Sequence, residues 1–127
     1  MKDLIISVLA VALLIGSWLV FFEYSSDNID SYAHSIKKEV IPAVEAENWE
    51  ESRQLLDKID KDWHSYKKVA LLFLDTQTIN EIDYSLARAI KYVKAEDVSN
   101  SAGELNAIIE QLTFLKKNDE VSAANIL

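Results

Sequence analysis

The chain has 127 residues, half of them hydrophobic, with two glycines, one proline, no cysteine and a formal charge of −8. That length holds one domain besides a membrane segment; the scarcity of Gly and Pro argues against turn-rich all-β folds, and the missing cysteine excludes disulfides, thiolate metal sites and a Cys nucleophile. The acidic balance opposes nucleic-acid binding, and the lysine pairs Lys37-Lys38, Lys67-Lys68 and Lys116-Lys117 are scattered rather than gathered in a basic patch.

Leu4 to Phe22, LIISVLAVALLIGSWLVFF, is 19 residues without a charge. At a rise of about 1.5 Å per residue such a helix just crosses a hydrocarbon layer about 30 Å thick. Trp18, Phe21, Phe22 and Tyr24 gather at its downstream end, where amphipathic rings favour the interface. The apolar run is long for a signal peptide, and no small-x-small cleavage motif follows Phe22, so an uncleaved anchor is expected over residues 1–23. Lys2 and the α-amino group precede the span, and Glu23, Asp27 and Asp30 follow it. The positive-inside tendency then puts the N-terminus in the cytoplasm and residues 24–127 outside the cell. Ala12 and Gly16 form a small-xxx-small pair, a candidate contact for a second membrane helix.

After a polar stretch, EYSSDN, expected as a hinge, apolar residues recur at Ile29, Tyr32, Ala33, Ile36, Val40 and Val44. Spacings of three and four put them on one helical face, with Pro42 expected to kink or end the helix. Asn48 and Glu51 form a capping box for the next helix. There Trp49, Ser52, Leu56, Ile59, Trp63, Tyr66, Ala70 and Phe73 make a continuous seam, widened by Leu55 and Val69 and running to Leu74. Thr78-x-x-Glu81 reads as a second capping box, opening a helix with Ile79, Ile82, Leu86, Ile90 and Val93 on one side. After KAED, the last long helix carries Val98, Ala102, Leu105, Ile109 and Leu112. Gly103 weakens its first turns, and Ser101-x-x-Glu104 offers a later start. Ile126 and Leu127 would dock on the domain or fray.

A shift of 49 residues lays AENW on AEDV and brings Ile41, Val44, Ser52, Leu56, Ile59 and Trp63 onto Ile90, Val93, Ser101, Leu105, Ile108 and Leu112. Two helical hairpins, each turning through a Glu-Asn or Glu-Asp cap, account for this; so does the common period of amphipathic helices. The expected fold is all-α, an N-terminal transmembrane helix followed by an antiparallel four-helix bundle.

Chemistry is sparse. His34 and His64 lie on different helices, with no ligand spacing around either, and His64 has Asp60 one turn before it as an ion-pair partner. Asp57, Asp60 and Asp62 sit within a periodic helix, not in the turn a calcium loop requires. No Gly-rich turn offers an oxyanion or phosphate cradle. No catalytic, metal or cofactor residue is assigned, and an enzyme is not expected. The most mixed stretch is LFLDTQTINEIDYSLARAI, Leu72 to Ile90. Asp83 borders its apolar face, whereas Tyr84, Arg88 and Tyr92 lie on the outer side, where a free bundle would prefer charge. Asp83, Tyr84, Arg88 and Tyr92 are therefore candidate partner-binding residues.

The block FLDTQTINEIDYSLARAIKYVKAED, with the membrane segment, ENWEESRQLLDKIDKDW and the terminal NIL, resembles the domain-of-unknown-function family four-three-six-three, small membrane-anchored proteins of spore-forming Gram-positive bacteria. The resemblance covers nearly the whole chain. It implies a single span, a helical extracytoplasmic domain and association with small polytopic membrane proteins, and it transfers no catalytic residue. Together these observations favour an interaction protein in contact with the bilayer and a polytopic membrane partner, with room for a homo-oligomer. The alternative is a ligand sensor or enzyme with an interhelix aromatic pocket lined by Trp49, Trp63 and Tyr66.

Overall fold

A computed structural model describes residues 1–126 of the chain, with side chains through Val121. All regular structure among them is helical. Helix α1 runs over Lys2–Glu45, and α2 spans Trp49–Ala70, α3 Thr76–Lys94 and α4 Val98–Ile126. One buried core joins them, from Phe21, Ile29, Tyr32, Ile36 and Val40 on α1 to Leu56, Trp63 and Tyr66 on α2, Ile79, Ile82 and Leu86 on α3, and Leu105, Ile108, Leu112 and Leu115 on α4.

The N-terminal part of α1 is long and apolar enough to cross a membrane, and only 6% of its most apolar window is buried in the protein. A core helix of the same composition would be covered, so this surface has no cover among the described residues.

The expected hinge at EYSSDN does not form, and no backbone break separates residues 23 and 24. Neither Gly nor Pro interrupts the segment, and tertiary contacts hold it helical. The buried Ser25 hydroxyl pairs with the Tyr66 hydroxyl of α2, and Ile29 is buried in the core. Pro42 does not end the helix either. A π-helical turn over Ile36–Val40 precedes it, in which the Ile41 N–H reaches back to the Ile36 carbonyl. That wider turn accommodates a residue with no N–H to donate, and the α-helical path resumes over Ile41–Glu45.

The turns after α1 and α3 are built alike, in the 49-residue register. Glu47 and Glu96 both adopt φ 56°. Glu47 N–H bonds the Val44 carbonyl and Asn48 N–H the Ala43 carbonyl, at 3.0 and 2.9 Å; Glu96 N–H bonds Val93 and Asp97 N–H bonds Tyr92, both at 3.0 Å. This pair of reversed bonds closes a helix through a left-handed residue, a place usually held by glycine. The following residue caps the next helix at once: Asn48 Oδ1 accepts from Glu51 N–H, and Asp97 Oδ1 from Asn100 N–H at 3.1 Å. Because the Asn48 N–H is already engaged, Glu51 turns to the Asn48 side-chain amide, at 2.9 Å. The matched core positions follow: Ser52 and Ser101, Leu56 and Leu105, Ile59 and Ile108, Trp63 and Leu112 are all buried.

Several boundaries differ from those expected. The α2 helix stops at Ala70, four residues before Leu74, and Val69 and Phe73 are exposed rather than part of the seam; Leu55 packs partly buried on the core. Helix α3 is capped by Asp75, not Thr78. Asp75 Oδ2 accepts from the Thr78 N–H at 3.1 Å and from its hydroxyl at 2.7 Å, and Thr78 is itself buried. A carboxylate three residues ahead outcompetes the hydroxyl as acceptor. Those hydrogen bonds, the side-chain one first, hold the Asp75 carboxyl below its ordinary range. In α4 the Ser101 start is unused, and Ile108 rather than Ile109 lies fully in the core. Ile90 likewise sits at the core's edge, with Ala89 inside.

Candidate functional site

Helix α3 presents its polar residues on two sides, and the structure separates the four sequence candidates accordingly. Asp83 faces α2. Its Oδ1 accepts from the Trp63 indole N–H at 2.6 Å, and its Oδ2 binds Lys67 Nζ, also at 2.6 Å. It is thus the polar link that lets a buried tryptophan keep a hydrogen bond at the edge of the core, and it joins α3 to α2. Arg88 lies on the other border, toward α4, where Nε donates to Glu104 Oε1 at 2.9 Å and Nη2 to the buried Ser85 hydroxyl at 3.2 Å. Gln111 Nε2 donates to the same hydroxyl at 3.0 Å. The bond to Glu104 raises the Arg88 pKa above its ordinary value.

Tyr84, Arg88 and Tyr92 follow one another at four-residue intervals, so they line one stripe of α3. Tyr84 is 63% exposed, Arg88 is exposed, and Tyr92 is half-buried. Asp83 does not belong to this stripe: at 3.6 residues per turn it lies about 140° from Arg88 around the helix. The surviving surface feature is two aromatic rings flanking a guanidinium that Glu104 and Ser85 hold in place.

The aromatic pocket of the alternative reading is closed. Tyr32, Trp63 and Tyr66 pack edge-on or tilted with centroids 5.6 to 6.2 Å apart, and the free space beside Trp63 amounts to about 10 Å³, no more than one water needs. Trp49 packs partly buried against the core. The Tyr32 hydroxyl donates toward the Asp62 carbonyl, 3.0 Å away. Burial pushes the Tyr66 hydroxyl up to about 12, against the lowering effect of the Ser25 hydrogen bond, and burial together with Asp62 raises Tyr32 as well. Neither phenol titrates near neutrality. Among the described residues no three His, Asp or Glu side chains come together as a metal site. His64 Nδ1 lies 2.7 Å from the Asp60 backbone carbonyl and 3.3 Å from its carboxylate.

The second expected contact, Ala12 and Gly16, divides in the same way. Ala12 is exposed, whereas Gly16 is half-buried and lines an open apolar groove of about 530 Å³ with Leu13, Ser17, Val20, Phe21, Tyr24, Val69 and Phe73. This groove and the α2–α3 turn that walls it escaped the sequence reading. Their signal was present: Leu71-Leu72-Phe73-Leu74 is an apolar run past the end of the helix that the seam was expected to absorb.

A small all-helical protein, with one N-terminal helix long and apolar enough to span a bilayer and a polar-rimmed helical core, is the class these features define. Residues 19–126 match the family described as Domain of unknown function (DUF4363), and the chain belongs to that family. No curated protein matches the chain. No solved structure matches it either.

Proposed function

We propose that this chain is a single-span membrane protein with a cytoplasmic N-terminus, whose outer part is an antiparallel four-helix bundle of two αα-hairpins that docks a polytopic membrane-protein partner on α3. The uncovered apolar surface of α1 supports the anchor. The unbroken path of α1 into the core supports a bundle held at a fixed angle to the membrane helix, because no flexible linker intervenes. A tether of this kind converts a weak contact with a neighbour in the same membrane into an effectively intramolecular one. The carrying observation is the Tyr84–Arg88–Tyr92 stripe, whose exposed tyrosine and braced arginine are the residue types that anchor protein interfaces. This reading assigns the protein no catalytic role.

A photo-crosslinking amino acid placed at Tyr84 in the full-length protein in its native membrane should yield one discrete adduct with a multi-span protein, and Arg88→Ala should diminish it. The same group at Lys58, exposed on α2, should not. Identical adducts at both positions would refute docking on α3. A membrane-impermeant thiol reagent reaching an Asp57→Cys variant only from the cytoplasmic side would overturn the orientation.

A further inference from the structure

The turn between α2 and α3 is unusual for a loop in water. Leu71, Leu72 and Phe73 are all exposed, Leu72 by 77%, whereas connections of soluble domains are ordinarily polar. Phe73 explains where this turn sits. Its ring stacks on Phe21, with centroids 4.3 Å apart and planes 19° from parallel, and Phe21 is the penultimate residue of the charge-free run Leu4–Phe22. The turn therefore lies level with the downstream end of that run. From this contact the apolar groove continues along α1 past Val20 and Ser17 to Gly16 and Leu13. Eight residues separate Leu13 from Phe21, about 12 Å along a helix axis. The groove thus overlaps the outer part of any bilayer that α1 crosses.

We infer that the α2–α3 turn is a second membrane-contacting element, with Leu71, Leu72 and Phe73 seated at the boundary between head groups and acyl chains and a phospholipid chain occupying the groove beside Gly16. This rests on α1 being a membrane anchor. Continuity of the turn with the exposed apolar face of α1 assigns the occupant as lipid. The charged residues around the turn agree: Lys68, exposed about one helical turn before it, and Asp75, which caps α3 on the far side, flank the apolar residues at the level where head groups would lie. Burial of a few apolar residues about 5–10 Å into that layer is the usual depth of interfacial elements. Two points of contact, the span and the turn, would fix the tilt and rotation of the bundle, which a single helix leaves free.

The chain has no cysteine, so single labels are clean. Leu9→Cys, Leu72→Cys and Asp57→Cys variants of the full chain, each nitroxide-labelled and reconstituted in phosphatidylcholine vesicles, are read by collision with oxygen and with a water-soluble nickel chelate. The label at position 72 should favour oxygen severalfold more than the label at 57 and report a shallow depth, with the label at 9 deep in the bilayer. Position 72 is mostly exposed, so the label leaves the core intact. A nickel-accessible label at 72 with a lipid-buried label at 9 would overturn the inference while leaving the anchor standing. A label at 72 shielded from both reagents would mean that protein, not lipid, covers the turn, and would overturn it equally. An aqueous label at 9 would remove the anchor and this inference together.

Discussion

Replacing Asp83 by alanine tests whether this residue braces the fold, the role its geometry gives it, rather than serving a partner. The substitution strips the acceptor from the Trp63 indole N–H and the counter-ion from Lys67, both at 2.6 Å. Trp63 is buried, so its orphaned N–H should cost about 1–3 kcal/mol; the half-exposed Lys67 pair adds about 0.5–1 kcal/mol. Asp83→Ala should therefore destabilise by roughly 2–3 kcal/mol, whereas Asp83→Asn keeps a carbonyl acceptor for the indole and should cost only about 0.5–1 kcal/mol. For a helical part of this size the alanine variant should melt roughly 8–12 °C lower and the asparagine variant about 2–4 °C lower. Thermal unfolding of the full chain in detergent micelles, followed by circular dichroism, reads both. Asp57→Ala, which removes an exposed pair with Lys61 at 3.2 Å, should change the midpoint by about 2 °C or less. In a Trp63→Phe background the difference between the alanine and asparagine variants should shrink toward zero, since the N–H is gone. Equal destabilisation by Asp83→Ala and Asp83→Asn with Trp63 intact would refute the indole bond as the source of the effect.

Two further outcomes follow from backbone and charge. Glu47 and Glu96 hold φ 56°, a conformation that costs an L-residue with a side chain about 1–2 kcal/mol. Glycine relieves it at some entropic cost, so Glu47→Gly and Glu96→Gly should each stabilise by about 0.5–1 kcal/mol and nearly add in the double variant; a lowered midpoint for both would refute the strain. Burial, reinforced by Glu120, pushes the Asp119 carboxyl from 3.8 up to about 6. Between these values the folded chain binds the proton more tightly than the unfolded one. Stability should therefore fall as pH rises from about 4 to about 6, by roughly 1–2 kcal/mol after screening by nearby water, and level off above. Asp119→Asn should abolish that slope in melts run across the same pH range; persistence of the slope would assign it to other groups.

The surface candidates illustrate how little a local pattern says about partners. The helical period already set Asp83 at the border of the apolar face and Tyr84, Arg88 and Tyr92 on the outer side. It did not say that Asp83 would face a tryptophan 20 residues earlier, or Arg88 a glutamate 16 residues later. Which border of a helix meets which neighbour is decided by packing across the core, and the helical period alone does not carry that information. The same holds for the turn at Leu71–Leu74, which only its contact with Phe21 sets against the membrane-length helix.

What the sequence determined by itself was short-range or cumulative. An apolar run of membrane length, the period of the Ser52–Ala70 seam, the Asn48 cap and the 49-residue register are each written in neighbouring side chains, because helix nucleation, capping and amphipathicity act within about one or two turns. Tertiary structure decided the rest. Ser25 and Ile29, gripped by the core, turned an expected hinge into unbroken helix; Asp75 took the cap from a Thr78 that packing buried; and Trp63 claimed Asp83. Ser25 and Asp83 were fixed by partners distant in the chain, Thr78 by its packing into the core, and the burial that made these hydrogen bonds obligatory exists only once the helices have met.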